Sequence, residues 1–234
     1  NQDMLYLLDA TDPAEPFPDP ENAERDPDGL LAIGGDLTPA RLLNAYRRGI
    51  FPWFGEHDPI LWWSPDPRMV LFPDKLRISR SLAKTLRKTR FRVSFDQAFS
   101  RVIRACAGPR RNEPDTWLSA EMIQAYEQLH QHGIAHSAEV WLEGELVGGL
   151  YGIAMGRIFF GESMFSRISN ASKVAFVNLV KRLQGAGYEL IDCQVYTQHL
   201  ESMGAVQILR REYQKLVDAG IKHAPLPNEF SVSW

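Results

Sequence analysis

The sequence predicts a mixed α/β fold of the α+β kind. A small N-terminal domain at 1–66 precedes a larger one at 67–234 with a mixed, mostly antiparallel sheet. Two observations point this way. Residues 1–66 hold a proline-rich segment, one short helix pattern and an aromatic block, and from Asp74 onward helix and strand patterns alternate. Within that second part, strand patterns at 137–142, 146–154 and 157–165 follow one another closely, as hairpins do. The strand at 188–196 instead comes after a helix at 171–185, the order of a βαβ-type crossover.

The elements follow in order. Pro13, Pro16, Pro18, Pro20 and Pro27 make residues 12–28 an extended surface loop. Thr38 is placed to cap a helix that has Pro39 at its first position, Leu42, Leu43 and Tyr46 on its apolar side, and Gly49 as its stop. Further helices are expected at 79–88, 95–106, 119–132 and 209–218. No repeat of fixed period is present. Strict alternation puts Phe160, Glu162 and Met164 on one face of their strand, and Tyr188, Leu190, Asp192 and Gln194 on one face of theirs.

The 234 residues, 44% hydrophobic and 24% charged, are those of an ordinary soluble globular protein with a sizeable core. The longest uncharged apolar stretch, Leu146 to Gly156, is eleven residues with four glycines, too short to span a bilayer. Residues from Asn1 onward lack a basic segment followed by an apolar one, so no signal peptide is expected. Two cysteines, Cys106 and Cys193, cannot build a disulfide framework and fit a reducing cytoplasm.

The net charge of −3 hides an asymmetry. Residues 1–36 carry ten acids and one base, so the remainder is net positive. From Lys75 to Arg92 there are eight bases and no acid. At about 100° per residue, Arg80, Lys84, Arg87 and Lys88 fall in one arc, opposite Leu82 and Leu86. A solvated helix face normally interleaves acids at i,i+4 spacing. A face without them favours a polyanion such as a phosphate backbone.

An aromatic block holds Phe51, Trp53, Phe54, Trp62 and Trp63, and Trp117 stands apart. Tryptophans usually fill cores, but beside a basic helix an exposed one stacks unpaired bases. Asp192 and Gln194 have Cα atoms roughly 6.6 Å apart on one strand face and reach one substrate group. Asp192 and Glu162 each sit within an apolar strand, where a carboxylate needs partners or a cleft. The alternatives are buried structural networks, or a cleft for an amine or hydroxyl in an apolar pocket.

Several signals carry little. Arg182-x-x-Gly185-x-Gly187 matches the pyrophosphate loop of GNAT-type acetyltransferases, but it ends a helix where such a loop must begin one. The segment that should hold the loop, Ser166 to Ser172, has no glycine. Gly34-Gly35-Asp36 is a turn without a following Gly-Lys-Ser/Thr. His130, His132 and His136 lack the cysteines of a metal site, and no metal is expected. Cys193 points away from Asp192 and reads as core.

Six ungapped stretches resemble one family. They are Gly29-Leu-Leu-Ala-Ile-Gly-Gly-Asp-Leu37, Arg48-Gly-Ile-Phe-Pro-Trp-Phe54, Leu61-Trp-Trp-Ser-Pro-Asp-Pro-Arg68, Gly161-Glu-Ser-Met-Phe-Ser-Arg167, Asn170-Ala-Ser-Lys173 and Ile191-Asp-Cys-Gln194. Together they resemble the bacterial leucyl/phenylalanyl-tRNA–protein transferases, from about Asp28 to about Tyr213. The resemblance implies transfer of Leu or Phe, less readily Met, from aminoacyl-tRNA to the α-amine of proteins beginning with Arg or Lys. That transfer marks the acceptor for N-end rule degradation. It also implies a GNAT-like C-terminal domain and no cofactor. By residue, it implies a side-chain pocket at Leu150, Glu162 and Met164 with Gly161 and Ser163 nearby. Phe160 joins them by its register. It further implies an adenosine site at Trp53 and Trp117, a reaction centre at Asp192 and Gln194, and tRNA docking on Arg80, Lys84, Arg87 and Lys88. A cytoplasmic monomer is expected.

The donor ester is already activated, and an α-amine of pKa about 7.7–8.0 is partly neutral near pH 7, so positioning supplies most of the rate. On this reading Gln194 orients the amine. Asp192 fixes Gln194, takes up positive charge, acts as base, or attracts the cationic acceptor. The competing classes are an acyl-CoA N-acyltransferase, which the absent loop disfavours, and a non-catalytic RNA-binding module, which would not need Glu162, Asp192 or Gln194.

Overall fold

The structure is a computed structural model that describes residues 5–88, 90–108 and 118–223. The strands are β1 (Tyr6–Leu8), β2 (Leu30–Gly34), β3 (Phe51–Pro52), β4 (Leu61–Trp63), β5 (Arg68–Leu71), β6 (Arg92–Phe95), β7 (Ala135–Leu142), β8 (Glu145–Met155), β9 (Ile158–Ser166), β10 (Leu190–Gln194) and β11 (Val206–Ile208). The helices are α1 (Pro39–Arg47), α2 (Arg80–Lys88), α3 (Phe99–Ala107), α4 (Ala120–Gln131), α5 (Ala171–Gly185), α6 (Gln198–Ser202) and α7 (Arg210–Gly220).

Two sheets form. The first has the order β1-β2-β4-β3, the second β11-β5-β10-β9-β8-β7-β6. In the second sheet only β9 and β10 pair in parallel, joined through α5, so the mixed and mostly antiparallel sheet and this βαβ crossover are as expected; a second crossover, through α6, carries the chain from β10 over β5 to β11. Strand pairing divides between Trp63 and Arg68, but apolar packing does not. Trp62 and Tyr46 share one continuous core with Phe99, Tyr126 and Phe160 on one face of the large sheet. On the other face α5 packs Val174, Val177 and Leu183 against Phe159 and Ile191.

Local rules account for the first helix. Thr38 Oγ1 accepts from Arg41 N at 3.3 Å, and Pro39 opens the helix. Gly49 ends it at φ +71°, where a Cβ would lie 2.7 Å from the Tyr213 ring. The expected helix at 95–106 starts later, at Phe99, because residues 92–95 join the sheet as β6. Glu139, from β7, decides that boundary. Its Oε1 accepts from Gln97 N at 2.7 Å and Ala98 N at 3.2 Å, a cap supplied from 41 residues away that no local pattern displays.

The acidic N-terminal loop is tied down more than an extended surface loop. Phe17 sets its ring edge-on to Trp62 at 5.0 Å, and Pro20–Asn22 forms a 3-10 turn. Arg41 is fully buried, with Asp36 at 3.3 Å and Glu15 at 3.8 Å, and Arg210 meets Glu21 at 3.6 Å. Part of the N-terminal negative charge therefore neutralises arginines of the body. Among the described residues no helix is long and apolar enough to cross a membrane.

Candidate active site

The parallel strands β9 and β10 pair only over 158–160 and 190–192. Beyond that point β9 stays with β8, and β10 stays with β5. The gap between their C-terminal ends opens a cavity of about 610 Å³. Its apolar wall is Leu150, Phe159, Met164, Phe176, Leu179, Ile191 and Leu200. Phe176 and Leu179 sit one helical turn apart on α5. Trp53 and Trp63 stand at one side, 5.5 Å between ring centroids, with Trp63 Nε1 bonded to the Trp53 carbonyl at 2.7 Å.

Both strands carry a bulge at this gap. Tyr151 pairs with Ser163 and Gly152 with Gly161, so Glu162 is the extra residue of β9. Val70 pairs with Asp192 and Met69 with Gln194, so Cys193 is the extra residue of β10. Gln194 takes the left-handed conformation, φ +64°. Bulges re-aim side chains and end pairing, which is what the site uses them for.

The bulges overturn the strict alternation expected above. Phe160 turns to the opposite side of the sheet, fully buried 5.3 Å from the Tyr46 ring, and is not part of the cavity wall; Phe159 takes that place. Met164 faces the α5 side instead of sharing a face with Phe160. Tyr188, outside β10, packs on the α5 side, away from Leu190. The other pocket residues expected from sequence, Leu150, Gly161, Glu162, Ser163 and Met164, all line the cavity, as do Trp53, Asp192 and Gln194.

A polar network runs beneath the apolar wall. Gln194 Nε2 donates to Glu162 Oε1 at 3.2 Å, and the Tyr46 hydroxyl donates to the same oxygen. Tyr46 in turn meets the Tyr126 hydroxyl. Burial, partly offset by these hydrogen bonds and augmented by the nearby Asp192 charge, pushes the Glu162 carboxyl up to about 8. Near neutral pH it is a neutral acid, which is what an apolar pocket tolerates. Burial also raises the phenols of Tyr46 and Tyr126 and the thiol of Cys193. Cys193, expected in the core, is half-buried at its bulge and touches the cavity as a thiol.

Asp192 is fully committed. Its Oδ1 accepts from Arg68 Nε at 2.9 Å and from Gln194 N at 2.9 Å. Its Oδ2 accepts from Arg68 Nη2 at 2.7 Å and from the Tyr213 hydroxyl at 3.1 Å. The sequence reading missed Arg68 and Tyr213. Arg68 stands in the Leu61–Arg68 stretch, but nothing local places it opposite Asp192.

Elsewhere, Trp53 is 51% exposed whereas Trp62 is fully buried, with its Nε1 on the Gly34 carbonyl at 2.8 Å. Trp117 lies outside the described residues. On α2, Arg80, Lys84 and Arg87 are exposed, while Leu82 is buried and Leu86 packs on the core, the arc read from the sequence. Among the described residues, none of those three bases pairs with an acid. The side chain of Lys88 lies outside the described set.

Where a pyrophosphate loop would sit, Ser166 Oγ already accepts from Ser172 N at 3.0 Å in the first turn of α5. His130 and His136 turn their Nδ1 atoms to the Ala135 carbonyl and to Asp96, at 2.8 and 2.7 Å.

A parted pair of parallel strands over an apolar pocket, with an amide and a neutral carboxyl at its rim, suits a ligand that is apolar at one end and reactive at the other. The matching relatives carry such chemistry in their names. A family model described as leucyl/phenylalanyl-tRNA protein transferase matches residues 70–218, and one for the N-terminal domain of the same proteins matches 35–66. A leucyl/phenylalanyl-tRNA–protein transferase of Methylococcus capsulatus is 61% identical over 214 residues, covering 92% of this chain and 91% of that protein. One from Pseudomonas fluorescens is 60% identical over 212 residues, covering 91% and 92%. Among solved structures, L-PGS from Bacillus licheniformis matches with a TM-score of 0.42 at 12% identity, over 88% of this chain and 64% of that one. A ribosomal-protein-alanine N-acetyltransferase from Brucella melitensis matches at 0.35 and 11%, over 62% and 96%. Both structural likenesses are too distant to bear on function. The chain is an aminoacyltransferase by its relatives. It belongs to the leucyl/phenylalanyl-tRNA–protein transferase family.

Proposed function

We propose that this protein moves a leucyl or phenylalanyl group, less readily methionyl, from aminoacyl-tRNA to the α-amine of proteins beginning with Arg or Lys. The product is marked for N-end rule degradation, and the enzyme works in the cytoplasm as a monomer without a cofactor. One observation supports this reading above the others: a cavity of about 610 Å³ with a broad apolar wall, at whose rim the Gln194 amide meets Glu162, a carboxyl held up at about 8. The donor side chain fills the wall formed by Leu150, Met164, Phe159 and Phe176, beside Gly161 and Ser163. The terminal adenosine stacks on Trp53, and resemblance to the family assigns Trp117 to adenosine binding as well. The phosphates of the tRNA body follow Arg80, Lys84, Arg87 and Lys88. The boundaries 1–66 and 67–234 separate the part bearing Trp53 and Trp63 from the GNAT-like part, and the pocket takes lining from both.

In the reaction the neutral α-amine attacks the ester carbonyl carbon. A C–N bond forms, the C–O bond to the ribose breaks, and the amine's proton ends on the departing ribose oxygen. Gln194 orients the amine, because its side chain is held at the rim from one end by Glu162 and its backbone from the other by Asp192. Asp192 fixes Gln194 and is not the base, since both of its oxygens are occupied within a buried ion pair. Its charge faces Arg68 and not an acceptor. Positioning of this kind accounts for large rate factors without a proton acceptor in the protein.

The test uses labelled leucyl-tRNA and a peptide beginning with Arg. Label moving to the peptide supports the reading. Transfer that is instead supported by an acyl-CoA donor, with none from leucyl-tRNA, overturns it.

A further inference from the structure

The Arg68 guanidinium is held on every side. Two of its nitrogens grip both oxygens of Asp192, a third reaches the Gly49 carbonyl at 2.8 Å, and Nη2 lies 3.3 Å from the Tyr213 hydroxyl. The Phe51 ring is 5.0 Å away and the Tyr213 ring 4.4 Å. Arg68 is 1% exposed and Asp192 is 1% exposed, so solvent does not share in the pairing. The contacts come from four separate places: the turn after α1, β3, β10 and α7. A planar fork is the only side chain that satisfies a carboxylate bidentately and still donates to a third partner.

Gln194 depends on this arrangement. It is in a left-handed conformation, and its backbone N–H is taken by Asp192 Oδ1. That carboxylate keeps its place only while Arg68 matches its charge, because an unpaired buried carboxylate takes up a proton or forces the site open.

We infer that Arg68 is a positioning residue for the transfer: by clamping Asp192 bidentately it holds the bulged strand end in the shape that presents the Gln194 amide to the reacting amine. The inference rests on the reading of the site as the place of aminoacyl transfer. Arg68 does not line the cavity, so it acts through Asp192 and Gln194. It also ties the N-terminal part, through Gly49, to the strand that bears the reaction centre.

The experiment compares the wild-type protein with Arg68→Lys, Arg68→Gln and the double variant Arg68→Gln/Asp192→Asn, in the leucyl-tRNA and Arg-peptide assay over pH 6–9. Melting temperatures are recorded alongside. Arg68→Gln is expected to lower kcat about 100-fold at pH 7, the scale of a small misplacement of reacting groups, with KM for leucyl-tRNA within a factor of about two. The double variant, which leaves no unpaired carboxylate at 192, should regain part of that kcat. Arg68→Lys, which keeps the charge without the fork, should fall between wild type and Arg68→Gln.

Wild-type kcat in either single variant overturns the inference. So does a loss in Arg68→Gln that the double variant does not relieve and that the KM for tRNA shares equally, the mark of a generally loosened fold. If Arg68→Gln does not fold, Arg68→Lys decides: reduced kcat at unchanged KM supports the clamp, and unchanged kcat refutes it. A wild-type protein that moves no label from leucyl-tRNA would refute the functional reading itself, a distinct result.

Discussion

The side-chain amide of Gln194 donates to the carboxyl of Glu162 at 3.2 Å, across 32 residues of sequence and across the gap where their two parallel strands part. The contact joins the rim group of β10 to the one pocket residue with a strongly raised carboxyl, and it exists because each strand carries an extra residue at this level. It also makes the site sensitive to pH through Glu162.

Glu162 should give the protein a stability that declines with rising pH. Its folded value of about 8 lies above the ordinary glutamate value near 4.3. The folded state therefore binds more protons than the unfolded state between those values. The stabilisation is fully present below about pH 4.3 and is lost as pH rises through 8, with a slope of at most about 1.4 kcal/mol per pH unit. Glu162→Gln removes that slope, so its melting temperature should gain on wild type as pH goes from 5 to 9. In the transfer assay the wild-type KM for leucyl-tRNA should rise above pH 8, when a charge appears in the apolar pocket, and Glu162→Gln should not follow. A constant gap in melting temperature across that range would place the Glu162 proton elsewhere.

Met164 forms part of the cavity wall that we propose receives the aminoacyl side chain. Met164→Ala should shift donor choice from leucyl to phenylalanyl, because the removed volume leaves room for a ring. Discrimination by apolar bulk is worth only about 1–3 kcal/mol, which bounds the shift. Competition between the two charged tRNAs in one reaction measures it. An unchanged ratio in a folded variant would remove Met164 from the specificity wall.

Lys84 and Arg87 stand exposed on α2, with Leu82 holding the helix to the core beneath. Replacing both by Ala should raise KM for leucyl-tRNA and flatten the dependence of log affinity on log salt by up to about two units. A leucyl-adenosine fragment, lacking the tRNA body, should be used as well as by wild type. Equal losses with both donors would make α2 a structural element only.

Trp53 and Trp62 are separated by nine residues and should behave oppositely. Trp53→Ala removes a half-exposed ring at the cavity and should weaken both leucyl-tRNA and leucyl-adenosine by about 1–3 kcal/mol, the worth of one stacked base. Its melting temperature should hardly move. Trp62→Ala empties a fully buried site that Phe17 packs against, and should cost about 3–5 kcal/mol of stability. Thermal melts and fragment binding on the two variants separate the roles. Loss of stability in Trp53→Ala with donor binding intact would move that residue from the site to the fold.

The sequence by itself determined what short-range rules control. Thr38, Pro39 and Gly49 bracketed α1, and the opposition of Leu82 and Leu86 to the basic arc fixed which face of α2 meets the core. The order of hairpins and crossover dictated a sheet with one parallel pair, and Leu150, Glu162 and Met164, expected close together, line one cavity. Only the tertiary structure decided the rest. Phe160 left the pocket and Phe159 entered it because Glu162 is a bulge, and a bulge is set by what the neighbouring strand pairs with, not by the alternation of its own residues. Glu139 chose the start of α3 from a distant strand. Which tryptophan met solvent depended on Phe17, brought back over Trp62 by a loop whose prolines gave no sign of it. Asp192 changed from a candidate base to a clamped anion because Arg68, 124 residues earlier, reaches it from the neighbouring strand β5. Charges declare their number in a sequence, but what they do is fixed by the partner beside them, and that partner is chosen by long-range packing.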